Sequence, residues 1–149
     1  MEEQAVVRGL VEALATVPDP RSRHGRRHPL PAVFRLFVAA MLSGAQSLYA
    51  VWQWGRLQSV ETVHAMGFTR DKTPSVSTLF EVARALDTDE VEKALREWGQ
   101  ENLGEEAEAI AIDGKAPRGT WGKETPGLIL VSAYATRAGL VLAQKGGTA

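Results

Sequence analysis

The sequence has no cysteine. That excludes a disulfide framework and a thiolate metal site, and it fits a reducing compartment. It also has almost no net charge. Seventeen Lys and Arg against eighteen Asp and Glu leave −1, so the whole molecule is not a general binder of polyanions, and any nucleic-acid contact must come from local basic patches. Long apolar runs are missing too. The longest, Val33 to Leu42, is interrupted by Arg35 and is too short to span a bilayer. The opening Met1-Glu2-Glu3 has the wrong charge for a secretory signal, and no internal repeat or low-complexity tract stands out. These absences lead us to expect a cytoplasmic protein with no membrane partner. What is present is an ordinary globular composition, 44% hydrophobic over 149 residues, enough for one domain or two small ones.

The first hundred residues read as helices. Val6, Val7, Leu10, Val11 and Leu14 recur at helical spacing between Glu2 and Val17, and Pro18-Asp19-Pro20 stops that helix. The segment Arg21-Ser22-Arg23-His24-Gly25-Arg26-Arg27-His28 holds four arginines and no acid. It is expected to be an exposed loop, either contacting phosphate through its guanidinium forks or serving as a solvated basic linker. His24 and His28 stand four apart, but the intervening Gly25 argues against a helical metal pair. Ala32 to Ser43 is apolar nearly all round and belongs at the centre of a bundle. Gly44 ends it and Ser47 caps the next helix, Leu48 to Leu57, which carries Trp52 and Trp54. Packing in the core is the default for both tryptophans, with base stacking the alternative. A shorter helix follows from Ser59 to Met66, closed by Gly67.

Arg70 and Lys72 make a second basic loop just before Pro74-Ser75-Val76-Ser77-Thr78-Leu79. Ser75 or Ser77 is expected to cap a helix that runs to Leu86. Small hydroxyl residues in a first turn, after a basic loop, suit the recognition helix of a helix-turn-helix, whose N-terminus can donate to phosphates or base edges; the plain alternative is a capped helix. A further helix, Glu90 to Asn102, is capped by Asp87-Thr88-Asp89.

Beyond Gly104 the pattern changes. Ala109 to Asp113 reads as a short buried strand that presents a carboxylate at its mouth, followed by Gly114 and Lys115. Such an Asp can hold a metal ion rigidly, or it can simply start an Asp-Gly turn. Leu128 to Ala135 and Leu140 to Ala143 read as second and third strands joined by a turn at Arg137-Ala138-Gly139. The expectation is an α+β chain, with a helical bundle over residues 1–104 and a three-stranded antiparallel meander within 105–149.

Several blocks in order carry a family resemblance. They are Val17-Pro18-Asp19-Pro20-Arg21, Gly25-Arg26-Arg27-His28-Pro29-Leu30, Ser47-Leu48 with Trp54-Gly55-Arg56, Pro74 to Leu79, Ile112-Asp113-Gly114-Lys115 with Arg118-Gly119, and Val131 to Ala135 with Gly139 to Gln144. Together they span nearly the whole chain, and the chain resembles the N-terminal part of ISAs1-type insertion-sequence transposases, the H-repeat-associated proteins. That resemblance implies a helical N-terminal domain followed by the start of an RNase H-like domain. It also implies an Asp-Asp-Glu triad whose first acid matches Asp113. In such a triad carboxylates hold divalent cations, usually Mg²⁺, for phosphodiester hydrolysis and strand transfer. This sequence departs from the pattern: Glu124 is the only carboxylate after Asp113, so the triad is incomplete and the chain looks truncated, with weak metal binding and no cleavage of its own expected.

The leading functional expectation is therefore DNA binding without chemistry. Arg21, Arg23, Arg26, Arg27, Arg70 and Lys72 would meet phosphates, Ser75, Ser77 and Thr78 would donate from a helix N-terminus, and Lys115 and Arg118 would flank Asp113 near a phosphate. The alternative is a non-enzymatic interaction protein that associates with itself or with a full-length transposase and regulates it. A third reading is a decayed gene product with a stable helical core and no selected activity.

Overall fold

The computed structural model describes residues 9–22 and 27–102, together with residues 131, 133 and 134. Among the described residues up to 102, six helical segments follow one another: residues 9–14 (α1), Leu30–Leu42 (α2), Leu48–Arg56 (α3), Val60–Ala65 (α4), Val76–Ala85 (α5) and Thr88–Asn102 (α6). The central element is α2. Leu30, Ala32, Val33, Phe34, Leu36, Phe37, Val38, Ala40 and Met41 are all buried along it, as its apolar surround requires. It begins two residues earlier than its apolar run, because Pro31 is tolerated in a first turn whose N–H groups have no helical partner. Helix α3 packs on α2, and α5 packs on α3.

Local chemistry sets the boundaries. Ser47, Ser59 and Ser75 are the N-caps of α3, α4 and α5, each accepting from the backbone N–H three residues on. Asp87 Oδ1 accepts from the N–H groups of Asp89 (3.0 Å) and Glu90 (3.4 Å) at the start of α6. Gly67 follows α4 with φ +108°, a conformation that favours glycine. There the Arg35 guanidinium of α2 donates to the Met66 carbonyl at 3.0 Å, tying the end of α4 to the central helix. Phe68 then turns inward and is buried.

The expectation of an α+β architecture is corrected among the described residues, where all regular structure is helical and no strand occurs. The correction falls on the second expected strand. Val131, Ala133 and Tyr134 are helical, with Val131 and Tyr134 buried and Tyr134 edge-on to Trp98 of α6 at 6.3 Å between ring centroids. Burial three residues apart is the period of a helix face. A short, mostly apolar run such as Leu128–Ala135 satisfies strand and buried-helix patterns equally, so periodicity alone could not decide it. The first and third expected strands, 109–113 and 140–143, lie outside the described residues.

Candidate nucleic-acid interface

Four segments, from two regions about forty residues apart, converge on one open groove of about 1040 Å³. The turn after α1 brings Arg21. The approach to α2 brings Arg27 and His28. The loop from Thr69 to Thr73 brings Arg70 and Lys72, and the first turn of α5 brings Ser75 and Thr78. Two carboxylates also line it, Asp71 and Glu81.

Arg21 is held in place by its own turn. Its Nε donates to Asp19 Oδ1 and its Nη2 to Asp19 Oδ2, both at 3.0 Å, and its backbone N–H also donates to Oδ1. This fork between two prolines fixes the corner that leads away from α1 and neutralises much of the Arg21 charge. Asp71 faces His64, with Nε2 to Oδ1 at 2.8 Å. Arg27, Arg70 and Lys72 are exposed, and none of them is in an ion pair among the described residues. The groove wall thus carries three solvent-facing cations, while one of its carboxylates is engaged elsewhere.

His28 reports the resulting potential. It lies half-buried, its ring edge-on to Phe68 at 5.7 Å, and its Nδ1 is buried with no hydrogen-bond partner among the described residues. Burial holds its pKa below the usual histidine value, and the positive charges of Arg70, Arg21 and Arg27 push it the same way. Because the folded value is depressed, the unfolded chain binds the proton more readily. This contribution to stability is therefore present above the unfolded pKa of 6.5 and is lost as pH falls below it. Urea midpoints at pH 7.5 and 5.5 are expected to show the protein weakened at the lower pH, with a smaller difference in His28→Gln.

At the α5 terminus Ser75 Oγ accepts from the Thr78 N–H at 3.2 Å and lies 3.1 Å from Thr78 Oγ1, so both hydroxyls serve the cap and stand at the groove together. Ser75 and Thr78 thus set the start of α5 beside the groove, and a helix N-terminus favours negative charge. Ser77 is exposed on α5 but does not line the groove. The helix-turn-helix expectation is corrected here. The ten residues 66–75 separate α4 from α5, whereas that motif joins its helices by about three or four.

Of the residues singled out from sequence, Arg21, Arg27, Arg70, Lys72, Ser75 and Thr78 come together. Arg23, Arg26, Asp113, Lys115 and Arg118 lie outside the described residues. Among the described residues no group of three or more His, Asp or Glu side chains could hold a metal ion. Also among them, no helix is long and apolar enough to cross a membrane. Sequence reading missed His28 as a member of the groove and Asp19 as the clamp on Arg21. Their signals were adjacency to the arginine cluster and an Asp two residues before an Arg.

Comparison with known proteins fits this layout. Residues 11–99 match the DDE_Tnp_1-associated family. "Putative transposase YncI" of Escherichia coli K12 is 30% identical over 141 residues, covering 93% of this chain and 56% of that protein. The protein of the same name from Escherichia coli O157:H7 is 30% identical, with 93% and 36% covered. "Putative protein YbfL" of the K12 strain is 24% identical over 138 residues, covering 91% of this chain and 36% of that protein. The chain thus spans between about a third and somewhat over half of the length of these relatives. No solved structure matches. A central apolar helix with its caps, and a groove built almost wholly from residues inside the matched span, are what the family's region contributes here, and the chain belongs to the DDE_Tnp_1-associated family, the N-terminal region of DDE transposases.

Proposed function

We propose that this helical region binds DNA, as the DNA-contacting part of an insertion-sequence transposase of the ISAs1 type. The observation that carries the reading is the convergence of Arg27, Arg70 and Lys72 from two separate loops on one groove beside the N-terminus of α5. Gathering like charges in one place opposes folding through mutual repulsion, and a polyanion relieves it. The phosphates of one strand would run past the three cations, with Ser75, Thr78 and the α5 backbone donating to a further phosphate. Arg23 and Arg26, adjoining Arg27 in sequence, extend the same basic segment, and Lys115 and Arg118 are carried as candidate phosphate contacts near Asp113. Asp113 as a metal-holding acid rests on the family resemblance.

The test is duplex binding across a salt series. Each phosphate neutralised contributes about 0.9 to the negative slope of log K against log salt. Replacing Arg27, Arg70 and Lys72 together by Ala is expected to flatten the slope by about three and to weaken binding at low salt by roughly a hundredfold or more. An unchanged slope in the triple variant, or binding insensitive to salt in the parent, would reject the reading. Tight association with a full-length relative, without duplex binding, would favour the alternative of a regulatory interaction protein.

A further inference from the structure

A second cleft, of about 400 Å³, adjoins the cationic groove, and the two share Asp71, Lys72, Thr73 and Ser75. Its other side is of different chemistry. Tyr49, Trp52 and Arg56 stand on successive turns of α3, and Trp52 and Arg56 line the cleft. The Tyr49 and Trp52 rings lie 5.2 Å apart at 43°, and the Arg56 guanidinium carbon sits 4.9 Å from the Trp52 ring centroid. Tyr49 is 54% exposed, and Arg56 is exposed as well. On the same cleft, Gln58 donates its Nε2 to the Trp54 carbonyl at 2.9 Å, which leaves its side-chain oxygen as an acceptor.

We infer that this Tyr49–Trp52–Arg56 column is a stacking platform for an unpaired base of a DNA strand whose phosphates lie in the adjoining cationic groove. The inference rests on the DNA-binding reading above and adds to it the form of the ligand, a single-stranded end or overhang. A nucleotide strand alternates charged phosphates with flat apolar bases. Two contiguous clefts, one cationic and one aromatic, match that alternation, whereas an intact duplex keeps its base faces stacked and offers the column nothing to hold. Arg56 suits the role through its plane as well as its charge. Held on Trp52, it presents a guanidinium face on which a base can lie, and the Gln58 oxygen, on the same cleft, is an acceptor for a ring N–H such as that of thymine.

The experiment compares fluorescein-labelled probes by anisotropy: a blunt duplex, the same duplex with an oligothymidine overhang, and oligothymidine alone. The overhang duplex is expected to bind about tenfold tighter than the blunt one, the range that one stacked base contributes. Arg56→Lys, which keeps charge but not the plane, and Tyr49→Ser on the exposed edge are expected to cut that preference to about twofold or less while leaving blunt-duplex affinity nearly unchanged. Trp52→Ala should abolish the preference, with thermal melting used to check that it folds. Equal affinity of the parent for blunt and overhang probes would overturn the inference, as would a preference that survives in Arg56→Lys and Tyr49→Ser. If the blunt duplex does not bind at all, the earlier reading fails. Oligothymidine binding that is lost in Arg56→Lys would then still uphold the stacking platform, and its absence would end it.

Discussion

Phe34→Ala is expected to destabilise the fold by about 3–5 kcal/mol, the usual cost of removing a buried phenyl ring from a packed core. Phe34 has no solvent exposure and sits on α2, where buried residues occupy every side but the stripe of Pro31, Arg35, Ala39 and Leu42. The packing around a fully buried ring leaves its neighbours little room to relax. Both parts of the cost should therefore appear, the lost transfer free energy and the void left behind. Urea titration would read this as a lower midpoint at an unchanged slope, because the surface exposed on unfolding barely alters. A loss below about 1 kcal/mol would mean that the centre of the bundle is not where α2 places it. The effect also reaches function. Helix α3 packs on α2, and α5 packs on α3, so duplex binding should fall at temperatures where the variant melts and recover on cooling.

Gly67→Ala is the second substitution with a large expected effect, about 2–4 kcal/mol, and its cause is different. The residue has φ +108°, which a side chain resists. An added Cβ would stand 2.8 Å from Arg35 Nη1 and 3.4 Å from the Ala32 Cβ. Arg35 Nη1 is the end of a flexible side chain and can shift, at the expense of its bond to the Met66 carbonyl; hydrogen bonds to charged groups contribute about 1.5–3 kcal/mol, and part of that is lost. Backbone strain of about 1–2 kcal/mol adds to that. Combining Gly67→Ala with Arg35→Gln should cost clearly less than the sum of the single changes, since both act on the same bond. Full additivity would show that the two residues do not communicate. Gly67 also begins the loop that carries Arg70 and Lys72, so the single variant should bind DNA with a reduced salt slope even where it remains folded.

The helical half was legible because its signals are local. Ser47, Ser59 and Ser75 each precede an apolar periodic segment, and each is an N-cap. Gly44 and Gly67 each follow one, and each has positive φ. The burial of most of α2 could be read from its composition alone. The groove was legible only in part. Arg27, Arg70 and Lys72 could be chosen as basic loop residues, but no local pattern says that two loops more than forty residues apart meet, nor that Arg21 is clamped by Asp19. The helix-turn-helix reading rested on the first turn of α5 and gave too little weight to the length of the loop before it. The strand reading of Leu128–Ala135 failed for a physical reason: a run whose polar interruptions are only Ser132 and the Tyr134 hydroxyl carries almost no phase, and its neighbour decides. Tyr134 rests on Trp98 of α6, and a helix is what meets it there.

The fork between Arg21 and Asp19 bears on how tightly the groove can hold a strand. Most long basic side chains at a binding surface wander when free and must be stilled on contact, which subtracts from affinity. One edge of this groove is already frozen, with the Arg21 guanidinium and main chain gripping a carboxylate that sits between two prolines. A ligand has only the opposite bank to quieten, and the rigid edge sets the line along which it must lie.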